Sequence, residues 1–474
     1  MFTRRELLAG SLALWQGGRE RLNVVLIVGD DLGATDLACY GSKFYETPNI
    51  DRLAASGMRF TQAYSACTVC SPSRAALMTG KYPARLHLTD WIAGHDYPWA
   101  RLRPPDWTKY LPLEERTIAE ALKPAGYISA SIGKWHLTPP TGDTSAFYPD
   151  RQGFDLNVAG THRGQPPSYF SPYGIETLTD GPRGEYLTDR ERTEAVRFIT
   201  AHRGQPFFVY LPHYAVHTPL QAKEAMVARY EKKAQPDAPQ HNAKYAAMIQ
   251  SLDENVGLLM KSLADAGVAE KTVVIFTGDN GGWLPSTNTN LGSRAGKGSA
   301  YEGGVRVPLI VHWPGVTKPG SVCHVPVIGV DLYPTVLEMS GLSAQDVDGV
   351  SIVPLLREGG SPRNWHRDSI YWHYPHYHPG GATPYSAIRY REWKLIEFQE
   401  DGRVELYNLE GDPGETQDLA KKEPARAAEL QKRLHAWRTE VGAQMAVPNP
   451  DYDPKRERER PVRARAASEP GVRP

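Results

Sequence analysis

Apolar residues in this chain come in short unbroken runs rather than in polar–apolar alternation. Residues 22–28, 127–132, 206–211 and 272–277 are such runs, most of them rich in β-branched or aromatic side chains. A strand buried on both faces of a parallel sheet reads this way, because neither side meets water. Between the runs lie stretches with helical spacing. Residues 47–57 open on Thr47-Pro48 and stop at Gly57, and residues 113–126, 190–203 and 242–266 carry the same apolar period. Residues 58–66 and 307–313 read as further strands, and residues 330–335 open another helix. Alternating strands and helices predict an α/β fold: a large mixed, mostly parallel sheet sandwiched by helices.

The pattern changes near Gly359-Gly360-Ser361-Pro362. Beyond it, residues 369–372, 386–389, 393–398 and 404–408 read as short strands of an antiparallel sheet, closed by a helix over 423–441. This predicts a main domain over 21–358, a smaller C-terminal subdomain over 359–450, and a charged, disordered tail over 451–474. Residues 138–190, rich in Gly, Pro, Thr, Ser and Tyr, predict a long insertion or set of loops over the site. At the start, Arg4-Arg5 precedes a modest apolar run. Residues 1–20 resemble a twin-arginine export signal, which implies a periplasmic or secreted protein. That run is too short to span a membrane, and no other stretch approaches the length needed.

Polar residues follow the strands with regularity. Asp30 and Asp31 end the first run, Lys134 and His136 follow the second, His213 and His217 the third, and Asp279 and Asn280 the fourth. In an open parallel sheet the C-terminal strand ends share one crevice, so these groups are expected to meet there. His213 is read as structural. Adjacent carboxylates at a buried strand end repel unless a cation lies between them. Asp30, Asp31, Asp279 and Asn280 are hard oxygen donors, which suit Ca²⁺ best and Mg²⁺ second. Neither thiolates nor paired histidines surround them in the manner of zinc.

Cys70-Ser-Pro-Ser-Arg74 reads as a helix start, with Ser71 as N-cap, Pro72 in the first turn and Gly80 as the stop. Cys70 then lies at the positive end of a helix, and Arg74 lies one turn on. Cys70 is open to three readings: a buried small side chain, half of a Cys67-x-x-Cys70 redox pair, or a reactive group. With four cysteines in 474 residues there is no disulfide framework. A net charge of +0 and a pI near 7.3 give no global field for nucleic acid or an anionic membrane, so an anion would need local cations.

Cys70-x-Pro72-Ser73-Arg74 followed by Thr79-Gly80-Lys81 resembles the signature of the type I sulfatases of the alkaline phosphatase superfamily. Gly133-Lys134-Trp135-His136, and Lys297 before Glu302-Gly-Gly-x-Arg306-x-Pro308, resemble further family motifs. Arg389-x-x-x-Trp393-Lys394 and Asp412-Pro413-x-Glu415 resemble its C-terminal part. The resemblance implies an alkaline-phosphatase-like fold and hydrolysis of a sulfate monoester. Cys70 would be oxidised to formylglycine (3-oxoalanine) by a maturing enzyme and would also face the metal. Arg74, Lys134 and Lys297 would hold the sulfate. His217 or Lys297 would protonate the leaving alcohol, Asp279 would help deprotonate the nucleophile, and His136 would take the proton that expels sulfate. His373, His376 and His378 are candidate contacts to a sulfated sugar. Two rival readings remain: a phosphoester or phosphonate hydrolase on the same fold, and a silent sulfoglycan-binding protein should Cys70 stay a thiol.

Overall fold

A computed structural model describes residues 21–361, 365–457, 459 and 462–463. Nine strands form the main sheet. Their order is Ser321–Cys323, Met58–Tyr64, Arg306–His312, Thr272–Gly278, Asn23–Gly29, Phe207–Pro212, Ile128–Ile132 and Leu156–Val158, with Val327–Ile328 also pairing Met58–Tyr64. Arg306–His312 runs against both neighbours and the other pairings are parallel.

The unbroken apolar runs are divided by the two-residue period of the strand. Val25 and Ile27 enter the core on one face, while Val24, Leu26 and Val28 enter the core on the other. Val274 and Phe276 against Val273 and Ile275 repeat the division. The helices Pro48–Ser56, Leu187–His202 and Ala243–Asp265 cover the first face. Cys70–Thr79, Ile118–Leu122 and Leu332–Met339 cover the second.

Three local expectations are corrected. The helix expected over 113–126 is only Ile118–Leu122 with a 3₁₀ turn Lys123–Ala125. Thr117 and Glu120 cap each other (3.2 and 2.8 Å), which fixes the start, and Pro124 cannot continue an α-helix. Ser71 is not an N-cap: the helix begins at Cys70 and Val69 flanks it, so the Ser71 hydroxyl is used elsewhere. The charged tail is not free over residues 451–457. The Asp453 N–H donates to the Trp99 carbonyl (3.3 Å), and Arg456 lies over the Trp99 ring at 3.5 Å. Cation–π contact holds a segment that composition alone marks as solvated. The twin-arginine expectation (1–20) and the end of the tail (464–474) lie outside the described residues.

A second sheet takes the strands Ser369–Tyr374, Tyr385–Tyr390, Trp393–Phe398 and Val404–Asn408 in that antiparallel order, under the helix Pro424–Glu440. Tyr371 and Trp437 stack at 4.7 Å between sheet and helix. A buried ion cluster fastens this sheet to the main one. The Lys394 ammonium lies 3.0 Å from Glu302 and 2.9 Å from Glu415, all three being buried. Removing the lysine leaves two carboxylates unpaired in the interior. Lys394→Met is therefore expected to cost about 3–5 kcal/mol of stability, measured by denaturant unfolding. A change under about 1 kcal/mol would show that water replaces the lysine at little cost.

Candidate active site

The strand ends converge as the topology requires. Asn23–Gly29 and Thr272–Gly278 are parallel neighbours in register, Gly29 opposite Gly278, so Asp30 and Asp279 leave the sheet side by side. Phe207–Pro212 delivers His217, and Ile128–Ile132 delivers Lys134 and His136. The Cys70 helix follows Met58–Tyr64 at the same edge, and Lys297 precedes Arg306–His312. Thr68 accepts the Gly298 and Ser299 N–H groups (2.9 and 3.0 Å), tying the Cys70 loop to the Lys297 loop.

Two turns here use the left-handed backbone region that non-glycine residues rarely adopt, at Asp31 (φ 57°) and His136 (φ 58°). The Glu302-Gly303-Gly304 run has a steric reason. A Cβ on Gly303 would lie 2.1 Å from the Ala295 carbonyl oxygen, and one on Gly304 2.3 Å from the Ser299 carbonyl oxygen. Only glycines let these loops press together beneath the site.

Charges inside the site are interleaved. Lys134 lies 2.7 Å from Asp30, and Lys297 lies 2.5 Å from Asp31 and 3.2 Å from the Cys70 Sγ. Arg74 grips Asp279 through two nitrogens (2.9 and 2.8 Å), lies 3.4 Å from Asp30, and donates to the Lys134 carbonyl (3.0 Å). Asp279 also accepts the Asp31 N–H (3.0 Å). Asn280 donates to Asp31 (2.8 Å), and His217 Nε2 lies 3.6 Å from Asp31. All except His217 are buried.

These surroundings set the protonation states. Burial, with Asp279 and Asp31 nearby, pushes Asp30 up to about 7 against the pull of Lys134 and Arg74. Burial also opposes ionisation of Asp31, but Lys297, His217 and Lys134 outweigh it and hold its carboxyl below the usual range. Burial drives His217 down to about 3 and His136 well below its ordinary value, so both rings are neutral at physiological pH. The Cys70 thiol is pushed up to about 11 by burial despite Lys134 and Lys297. The unmodified side chain is thus a protonated thiol, which argues against a thiolate redox centre.

The donor set fits a hard cation. Asp30 Oδ1 and Asn280 Oδ1 are buried and accept no hydrogen bond. Ligand atoms of Asp30, Asp31, Cys70 and His217 all lie within 4.8 Å of one another. Three carboxylates (Asp30, Asp31, Asp279) balance three cations (Arg74, Lys134, Lys297), so a bound divalent ion would leave the pocket with excess positive charge. That is the condition for drawing in a sulfate ester.

Ser71 serves this site rather than its helix. Its hydroxyl accepts the Ile92 N–H (3.1 Å), and the Ile92 carbonyl faces His136 Nε2 at 2.5 Å. The imidazole therefore carries its hydrogen on Nε2. Nδ1 remains a buried lone pair with no donor.

The sulfatase family model matches residues 22–342, and an N-sulphoglucosamine sulphohydrolase C-terminal model matches residues 296–443. The chain belongs to the sulfatase family. It is a type I sulfatase of the alkaline phosphatase superfamily, a sulfuric ester hydrolase. A sulfatase of Formosa agariphila is 33% identical, covering 88% of this chain and 89% of its own. Human arylsulfatase A is 33% identical over 84% of this chain and 83% of its own. The crystal structure of Ps i-CgsB in complex with k-i-k-neocarrahexaose is similar at a TM-score of 0.73. It is 31% identical, covering 91% of this chain and 95% of that one.

In this sulfatase the reactive groups form the floor of a cavity of about 500 Å³, to which Asp31, Cys70, His136, His217 and Lys297 contribute. Its walls come from residues that the sequence reading did not single out: Trp91 and His95, Trp283, and His162 and Arg163 within the loops expected over the site at 138–190. Loops carry no periodicity, and the only signal for them was the low-periodicity composition of 138–190.

The expectation that His373, His376 and His378 together face a sugar is corrected by their surroundings. His378 lines the cavity. His376 is buried against Thr89 (2.8 Å) and Asp90 (3.8 Å). His373 is enclosed between the Ser386 hydroxyl (2.8 Å) and the Gln444 carbonyl (2.7 Å). Strand pairing through Tyr374 draws the first histidine into the second sheet. His213 pairs with buried Glu191 at 2.6 Å.

Burial holds His373 down to about 4. A depressed histidine adds stability above its ordinary value of 6.5 and loses it as pH falls toward 4, because the unfolded chain then binds the extra proton. The thermal midpoint should drop over that window, and drop less in His373→Gln. Parallel curves for both proteins would contradict this. Among the described residues no helix is long and apolar enough to cross a membrane.

Proposed function

We propose that this sulfatase releases sulfate from a carbohydrate monosulfate. It would use formylglycine formed from Cys70 and a Ca²⁺ ion held by Asp30, Asp31, Asp279 and Asn280. The observation that supports the reading is the grouping of Asp30, Asp31, Cys70 and His217 within 4.8 Å, with Asp279 and Asn280 beside them, two buried oxygens without donors and three cations around. A cation held there would supply Lewis-acid polarisation of a sulfate oxygen. The aldehyde hydrate would supply the nucleophile and a second hydroxyl whose loss of a proton frees sulfate.

The chain's own groups divide the remaining work. Lys297 lines the cavity, while Arg74 and Lys134 lie buried behind it on Asp279 and Asp30; positive charges fixed there would offset the repulsion that keeps sulfate esters inert. Lys297 keeps its proton, since Asp31, with Asp30 and Asp279 nearby, outweighs its burial, whereas His217 is neutral. The proton for the leaving oxygen in the free protein thus resides on Lys297. Asp279, engaged by Arg74 and the Asp31 N–H, holds charge rather than moving protons. The bare Nδ1 of His136 is the acceptor for the final proton.

A sugar substrate is supported by the relative that binds k-i-k-neocarrahexaose. It is also supported by human N-acetylgalactosamine-6-sulfatase, 33% identical over 72% of this chain and 67% of its own. The catalytic roles, a maturing-enzyme partner and twin-arginine export to the periplasm or beyond belong to the same reading. The test compares sulfate and phosphate release from matched sugar esters, with mass spectrometry of the Cys70 peptide. The aldehyde mass and a preference for sulfate are expected. Faster phosphate release would favour a phosphoester hydrolase, and an intact thiol with no turnover would favour a binding protein.

A further inference from the structure

Above the reactive floor, the cavity lining has two unlike features. One is an arc of rings meeting edge to face: Trp91 and His95 at 4.9 Å, His95 and His378 at 5.3 Å, His378 and Trp283 at 6.0 Å. Burial leaves the His378 ring uncharged, so it adds an apolar surface here. The other feature of the lining is Arg163. Its side chain is 39% exposed and its Nε is buried without a hydrogen-bond partner. Its ion pair is a long one, 3.6 Å to Glu176, which is itself shared with Tyr148 (2.8 Å) and His162 (3.2 Å).

An aromatic lining and a cation in one cavity match a pyranose whose C–H face packs on one of the rings while an anionic substituent reaches the guanidinium. A long, half-exposed pair with Glu176 is worth little, so the guanidinium can turn to a better bidentate acceptor. The scissile sulfate is taken by the floor, which leaves Arg163 for a different group.

Building on the proposed sugar-sulfatase reading, we infer that the substrate carries a second anionic group, a sulfate or a carboxylate, on the same or the adjoining sugar, and that Arg163 reads it. The aromatic arc orients the ring, and Arg163 determines which sulfated sugar is accepted.

The experiment uses the full chain and three probes: a galactose monosulfate, the corresponding galactose disulfate, and a monosulfated disaccharide bearing a uronate. Turnover is read with the matured protein. Equilibrium binding is read by calorimetry with the Cys70→Ala protein, so that preference is measured even where turnover is absent. One of the two doubly anionic probes should surpass the monosulfate by about ten-fold or more in kcat/KM and in affinity, the size of a charge-assisted pair. Whichever it is identifies the second anion. Arg163→Gln should erase that preference, with Arg163→Lys restoring part of it.

Equal handling of all three probes by the unsubstituted protein overturns the inference, as does an Arg163→Gln protein that keeps the preference. Selective binding without sulfate release would sink the catalytic reading while supporting this one. Sulfate release without selectivity would do the reverse.

Discussion

Cys70→Ala is expected to reduce sulfate release to the uncatalysed background while leaving the fold in place. The side chain is small and sits at a helix start, so its loss should move the thermal midpoint by only a few degrees. The chemistry, by contrast, has no substitute. An unmodified thiol held near 11 is ionised to about one part in ten thousand at neutral pH, and it offers no second hydroxyl to eject sulfate. No other cysteine reaches the cavity; Cys67 is enclosed in the core beside the second sheet. The measurement is sulfate release by ion chromatography beside a melting curve. Retention of more than about one hundredth of the activity would show that position 70 does not supply the nucleophile.

Removal of divalent cations is the second large effect. Without an ion, the three carboxylates and three cations cancel, and Asp30 and Asn280 each keep a buried oxygen that accepts nothing. Chelation should therefore abolish turnover, and Ca²⁺ should restore it more fully than Mg²⁺, whose octahedral demand suits this irregular donor set less well. The stability readout is independent of turnover. An ion that binds only the folded chain adds about 2.7 kcal/mol at a hundred-fold excess over its dissociation constant, a rise of a few degrees in melting temperature. A melting curve indifferent to both chelator and Ca²⁺ would remove the metal from the account.

Much of this arrangement was legible in the residues. Unbroken apolar runs located the parallel strands because burial on both faces erases alternation, and the Val24–Val28 division between two cores confirms the cause. The polar residues after each run could be grouped without coordinates, since a parallel sheet places its carboxyl ends together. The cavity walls could not be read. Trp91 and Arg163 sit on loops, and His95 on a two-residue strand, whose paths depend on distant partners, as when Ser71 holds Ile92. The Ser71 error has the same origin: a hydroxyl at a helix start has a local use and a remote one, and only tertiary structure decides between them. His373 and His376 misled because a polar, aromatic cluster reads as exposed until its strand and hydrogen-bond partners are known.

The strand order also governs how the protein matures. Its central neighbours, Asn23–Gly29 and Thr272–Gly278, lie about as far apart along the chain as the sheet allows, and Lys297 joins later still. The reactive centre is divided along the chain: Asp30, Asp31, Arg74 and Lys134 come from its first third, Asp279 and Lys297 from far beyond, and the pairs Arg74–Asp279 and Lys297–Asp31 join the two parts. Assembly must wait for distant segments to find one another, a slow route that exposes sheet edges on the way. Weakening an outer strand should therefore lower the yield of competent molecules and leave the turnover of each survivor unchanged.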